Sequence, residues 1–125
     1  MENNKTILII EDDGFVVKIY QIKLEKEGFN VLIIMDGNEA LSYIKKTEPV
    51  DLVILDLMLP GVSGFDILAE IRKNEKWGKV PVVVLSNLGQ EHDIKKCQEI
   101  GISDYIVKSD VKISEVVERV KNLLS

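Results

Sequence analysis

The chain has 125 residues, 46% of them apolar, and a formal net charge of −5 with its lysines spread along the length. That is the size of one domain with one real core, and the charge argues against the chain itself gripping nucleic acid. No apolar stretch approaches the length of a membrane span, the N-terminal "MENNK" lacks the basic start and apolar run of a signal peptide, and a single cysteine excludes an internal disulfide or a thiolate zinc site. A cytoplasmic protein with a protein partner is expected.

Apolar β-branched runs alternate with amphipathic stretches five times, the pattern of β/α units. The first strand is expected over Thr6 to Ile10, followed by a helix from Gly14 to Glu27 with Val16, Tyr20 and Leu24 on one stripe and Gly28 as its stop. The second strand is expected over Asn30 to Ile34. The helix after it starts with Asp36 as cap and Glu39 answering three residues later. A third strand, Asp51 to Leu55, leads to a helix from Phe65 to Asn74. The fourth strand, Val80 to Leu85, leads to a helix from Gln90 to Ile100 ending at Gly101. The fifth, Asp104 to Val107, leads to a helix reaching Leu124, with Asp110 and Ser114 both open as its cap. Several strands are continuously apolar, as parallel strands covered on both faces must be. Right-handed crossovers then give a flavodoxin-like α/β fold, a doubly wound parallel sheet of order 2-1-3-4-5 with five helices, and residues 1–125 form one domain.

Ligands of such sheets sit beyond the carboxyl ends of the strands, so the residues there matter most. They are Glu11, Asp12 and Asp13 after the first strand, Asp56 after the third, Ser86 after the fourth and Lys108 after the fifth. Taken singly, each has an ordinary structural role: an acidic helix start, a cap, a snorkelling lysine. Together they crowd carboxylates whose mutual repulsion is roughly 3 kcal/mol per pair at about 5 Å and an effective dielectric near 20. A hard divalent cation, Mg²⁺ before Ca²⁺, and the Lys108 ammonium are the available compensation. A flavin phosphate is excluded, because "EDDGF" presents carboxylates where a dianion needs hydroxyls and amides. The opposite chemistry fits: a cation held by the acids and Asp56 as nucleophile toward a phosphoryl donor.

These residues resemble the receiver domain of two-component response regulators. The resemblance spans the whole chain and rests on Asp12 and Asp13 preceded by Glu11, on "LDLMLPGVSG" around Asp56, and on Ser86, Tyr105 and Lys108 in that order and spacing. It implies a phosphoacceptor switch of a two-component phosphorelay, with Asp56 taking phosphate from a sensor histidine kinase. Asp12, Asp13, Asp56 and the backbone carbonyl of Met58 would hold Mg²⁺, with Glu11 supporting them from behind. Lys108 would pair with the phosphoryl oxygens. Ser86 would draw the loop after the fourth strand inward, letting Tyr105 turn and changing the surface of helix 4, strand 5 and helix 5 for a downstream effector. The chain looks like a single-domain receiver, a monomer or a phosphorylation-dependent dimer. Two other readings stay open: a receiver-like interaction module that signals without phosphorylation, and the receiver part of a longer DNA-binding regulator.

The sequence departs from the family pattern in three places. Ser109 follows Lys108 where proline is usual, Asn87 follows Ser86 where a small residue is common, and the flanking Met58 and Leu88 are both apolar. Apolar flanks orient an attacking water poorly, so a long-lived phosphorylated form is expected. Pro60, Gly61 and Gly64 read as loop formers, His92 as solvent-facing, Cys97 as packing, and Trp77 equally as an exposed contact or a packing plug.

Overall fold

The computed structural model describes residues 5–125, so most of "MENNK" lies outside the described residues. Five parallel strands, β1 (Thr6–Ile10), β2 (Asn30–Ile34), β3 (Leu52–Leu55), β4 (Val82–Ser86) and β5 (Asp104–Val107), form one sheet in the expected order 2-1-3-4-5. The helices are α1 (Gly14–Lys26), α2 (Gly37–Lys46), α3 (Gly64–Lys73), α4 (Glu91–Ile100) and α5 (Ile113–Leu124). No helix among the described residues is long and apolar enough to cross a membrane.

Alternation along the strands divides the core in two. Leu8, Ile10, Val53, Leu55, Val82 and Val84 pack with buried residues of α2, α3 and α4. Ile7, Ile9, Leu52, Ile54, Val83 and Leu85 face α1 and α5. Central strands covered on both sides therefore carry polar residues only at their ends, Thr6 and Ser86, which is why they read as nearly unbroken apolar runs.

Caps decide most helix starts. The Asp36 carboxylate accepts from the Glu39 N–H at 2.9 Å, as expected, and Ser63 starts α3 by accepting from the Phe65 N–H at 3.1 Å. The start of α5 differs from both open assignments: Lys112 occupies the cap position without a side-chain hydrogen bond. The chain first makes a 3-10 turn over Lys108–Asp110, which uses up Asp110 before the helix begins. Strand β4 is likewise displaced from the expected range, running on to Ser86, because its ladder with β5 continues to the Ser86–Val107 pair.

Trp77 is a packing plug. It is fully buried, its indole N–H donates to the Thr47 carbonyl at 3.0 Å, and Tyr43 meets it edge-on with ring centroids 6.1 Å apart. The Asn74 side chain shapes the loop around it, accepting from the Trp77 and Lys76 N–H groups. Cys97 is also buried, and that burial pushes its thiol up to about 11, consistent with packing and against redox chemistry. Replacing the plug, Trp77→Ala, is expected to cost about 3 to 5 kcal/mol in urea unfolding; a loss below about 1 kcal/mol would contradict it.

Candidate functional site

Backbone hydrogen bonds carry the ladders of the central strands one residue past their ends. The Glu11 N–H donates to the Ile34 carbonyl at 3.1 Å, and the Asp56 N–H donates to the Ile10 carbonyl at 3.0 Å. Two carboxylates are thereby fixed at the same level on the carboxyl edge, where strand order reverses between β1 and β3. Both are buried, Glu11 at 4% exposure and Asp56 at 5%, whereas Asp12 beside them is exposed. Carboxylate oxygens of Glu11, Asp12 and Asp56 all lie within 4.8 Å of one another.

Lys108 closes the cluster. At the end of β5 it reaches back so that its ammonium donates to Glu11 Oε1 and, at 3.1 Å, to Asp56 Oδ2. Both partners hold their protons more tightly than usual, for different reasons. At Glu11, burial outweighs the nearby ammonium and pushes the carboxyl up to about 7, with the Asp56 charge adding to the rise. At Lys108, burial works downward but is overcome by the Glu11 hydrogen bond and the charges of Asp56 and Glu11, so its pKa is raised.

The geometry corrects one sequence expectation. Asp13 does not join the carboxylates; it caps α1, accepting from the Phe15 and Val16 N–H groups at 3.0 and 3.3 Å. Glu11, expected only to support the acids from behind, takes its place among them. The signal was present, since an aspartate immediately before a helix starting at Gly14 is a natural N-cap.

The remaining expected residues gather on the same edge. Asp56 Oδ1 accepts from the Met58 N–H at 3.0 Å, fixing the carboxylate rotamer. Gly64, the first residue of α3, is required by close approach: a Cβ there would lie 2.5 Å from Leu57 Cα and 2.6 Å from the Asp56 carbonyl oxygen. Ser86 is fully buried, and its Oγ accepts from the Leu88 N–H at 3.3 Å. The Tyr105 hydroxyl donates to the Leu88 carbonyl, so the backbone of one residue, through its two flanking peptides, links both expected switch residues. Burial pushes the Tyr105 phenol up to about 12, keeping it a donor. The bond between Lys108 and Ser109 is trans, His92 is solvent-facing, and Asn87 is exposed.

Residues 7–121 match the family model described as response regulator receiver domain. The chain belongs to that family. It is a receiver, the phosphoacceptor module of two-component signalling. Over 115 residues it is 38% identical to the DNA-binding response regulator MtrA of Mycolicibacterium paratuberculosis, covering 92% of this chain and 49% of that protein. The receiver thus spans about half the length of the curated relatives it matches. Among solved structures, the phosphorylated cyanobacterial phytochrome response regulator RcpA superposes with a TM-score of 0.83 at 31% identity, over 97% of this chain and 91% of that one. The receiver domain of the sensor histidine kinase PA1611 from Pseudomonas aeruginosa, solved with magnesium in its active-site cleft, gives 0.83 at 25% identity over 98% of each.

The receiver's own residues fit a hard cation. All donors are oxygens, the exposed Asp12 leaves an open side for bound water, and three carboxylates against one ammonium leave two negative charges to offset. Because the folded Glu11 pKa lies above the ordinary 4.5, the folded metal-free protein binds more protons than the unfolded chain between about pH 4.5 and 7. Glu11 therefore makes stability fall as pH rises through that window. Thermal melts without divalent cations are expected to show this slope in the wild type and a flatter one in Glu11→Gln; an unchanged slope would refute the assignment.

Proposed function

We propose that Asp56 is the phosphoacceptor of this receiver and that a phosphohistidine of a sensor kinase is its donor. The convergence of Glu11, Asp12 and Asp56 on Lys108 carries this reading. An Asp56 carboxylate oxygen attacks the phosphorus, the O–P bond forms as the N–P bond breaks, and the leaving imidazole keeps the bonding pair and takes up a proton. The Lys108 ammonium, already at Asp56 Oδ2, meets the charge of the transferred oxygens. Glu11, Asp12, Asp56 and the Met58 carbonyl would hold Mg²⁺, which when bound supplies further neutralisation of that charge. The receiver's chemistry on this reading is self-phosphorylation and slow self-dephosphorylation, and it runs in the cytoplasm.

The surroundings support a protein donor. Phe15, exposed at 77%, shares with Val16, Ile19 and Ile113 an apolar cleft that Lys108 also lines, placing a hydrophobic landing beside the acceptor. The switch reading follows from the Leu88 peptide. Recruiting the Ser86 hydroxyl to a phosphoryl oxygen would loosen the Leu88 N–H, and Tyr105, bonded to the Leu88 carbonyl, would follow. The effector is then a protein surface reading α4, β5 and α5.

Intact mass after incubation with Mg²⁺ and acetyl phosphate is expected to show one added phosphoryl group, absent in Asp56→Asn and with chelator; no adduct under any donor would overturn the reading. Met58 is 55% exposed and offers no hydrogen bond from its side chain to an attacking water. Phosphoryl decay is expected to quicken severalfold in Met58→Asn and Leu88→Gln, measured as loss of the adduct; equal lifetimes would remove the role given to these apolar flanks.

A further inference from the structure

The two ends of α4 are held very differently. At its C-terminus, Arg72 on α3 donates from Nε to the Gly101 carbonyl at 2.7 Å, and from Nη1 to the Val80 carbonyl at 2.7 Å and the Gly78 carbonyl at 3.1 Å. One planar guanidinium thus ties the end of α4 to the end of α3 and to the segment entering β4. Gly101 is shaped to receive it. Its φ is +119°, an added Cβ would sit 3.3 Å from Arg72 Nε, and its N–H closes the helix on the Cys97 carbonyl at 2.8 Å. The buried Cys97 fixes the same turn from inside.

The N-terminus has no such hold. Gln90 caps α4 without a side-chain hydrogen bond, and Asn87, Gly89, Gln90, Glu91 and His92 are all exposed, Asp93 alone of the first turn being buried. Polar tethering of the preceding loop runs through the Leu88 peptide, held by Ser86 and Tyr105.

We propose that Arg72 is the pivot of α4: it fixes the C-terminal end, so that release of the Leu88 peptide swings the helix about Gly101 and does not shift it as a whole. The inference rests on the switch reading for the swing, while the anchor itself belongs to the unphosphorylated chain. A ten-residue helix is about 15 Å long, so each 10° of swing carries its N-terminus about 2.6 Å. A small rearrangement at Leu88 thereby becomes a displacement on the proposed output surface, largest next to the site and smallest at Arg72.

Amide exchange of the whole chain, followed by NMR in wild type, Arg72→Lys and Arg72→Gln, tests the anchor. In the unliganded wild type, the Gly101 and Ile100 amides are expected to exchange at least tenfold slower than that of Lys95. Arg72→Gln is expected to erase that difference while the Ile9 and Ile54 amides keep their rates, and Arg72→Lys to restore part of it. An unchanged Gly101 rate in Arg72→Gln, or a uniform rise through the sheet, would overturn the proposal. Adding Mg²⁺ and beryllofluoride should give wild-type shift changes that decline from Glu91 to Gly101, and in Arg72→Gln extend along the helix; equal changes at both ends of wild-type α4 would overturn the pivot. No shift change anywhere would overturn the switch reading and with it the swing, and the unliganded exchange would still decide the anchor.

Discussion

The ion cluster of Glu11, Asp56 and Lys108 is the constraint around which the rest of this molecule is arranged. Two buried carboxylates at the end of an apolar sheet would be costly without a partner, and a single ammonium satisfies both. The arrangement compensates incompletely: with Asp12 alongside, negative charge is left over. A site held in that condition favours whatever brings positive charge to it. On the proposed reading a divalent cation would offset both that surplus and the charge of an incoming phosphoryl group.

Rigid and yielding parts meet at this edge. The strands under the cluster are locked by the β1–β2 and β1–β3 ladders and by cores on both faces, so the carboxylates barely need side-chain ordering of their own. Gly64 lets α3 press directly against the Asp56 and Leu57 backbone, which sets the loop that begins at Asp56. The loop after β4 is built otherwise. Its Leu88 backbone hangs between a hydroxyl from β4 at the N–H and a phenol from β5 at the carbonyl, two neutral hydrogen bonds of modest strength. A structure with a stiff carboxylate cluster and a loosely tied neighbouring loop can change shape at the loop without losing the cluster.

Receiver membership gives this geometry its use, and the relatives show how modular that use is. The match to DNA-binding regulators covers about half their length, and the receiver family model matches within that same span of the chain. Communication then has to pass through a surface, and α4 is the element whose first turn adjoins the site and whose last turn is pinned elsewhere by Arg72.

Short-range chemistry settled much of this protein in advance. Unbroken apolar runs marked parallel strands, right-handed crossovers between five β/α units pointed to their order, the Asp36 and Glu39 spacing marked a helix start, and Asp56, Ser86 and Lys108 fell at strand ends. What the sequence left undecided depended on distance in space. The pairing of Asp12 with Asp13 gave way to Glu11 with Asp12 because β1's ladder runs one residue beyond Ile10 and the free amides of α1 claim Asp13. Trp77 became a plug only because Thr47 and Tyr43, thirty or more residues away, came to meet it. Nothing local marks Arg72, whose three carbonyl partners were set around it by the fold. Local patterns fix elements because their hydrogen bonds close within a few residues; partners brought together by packing are chosen only once the whole chain has folded.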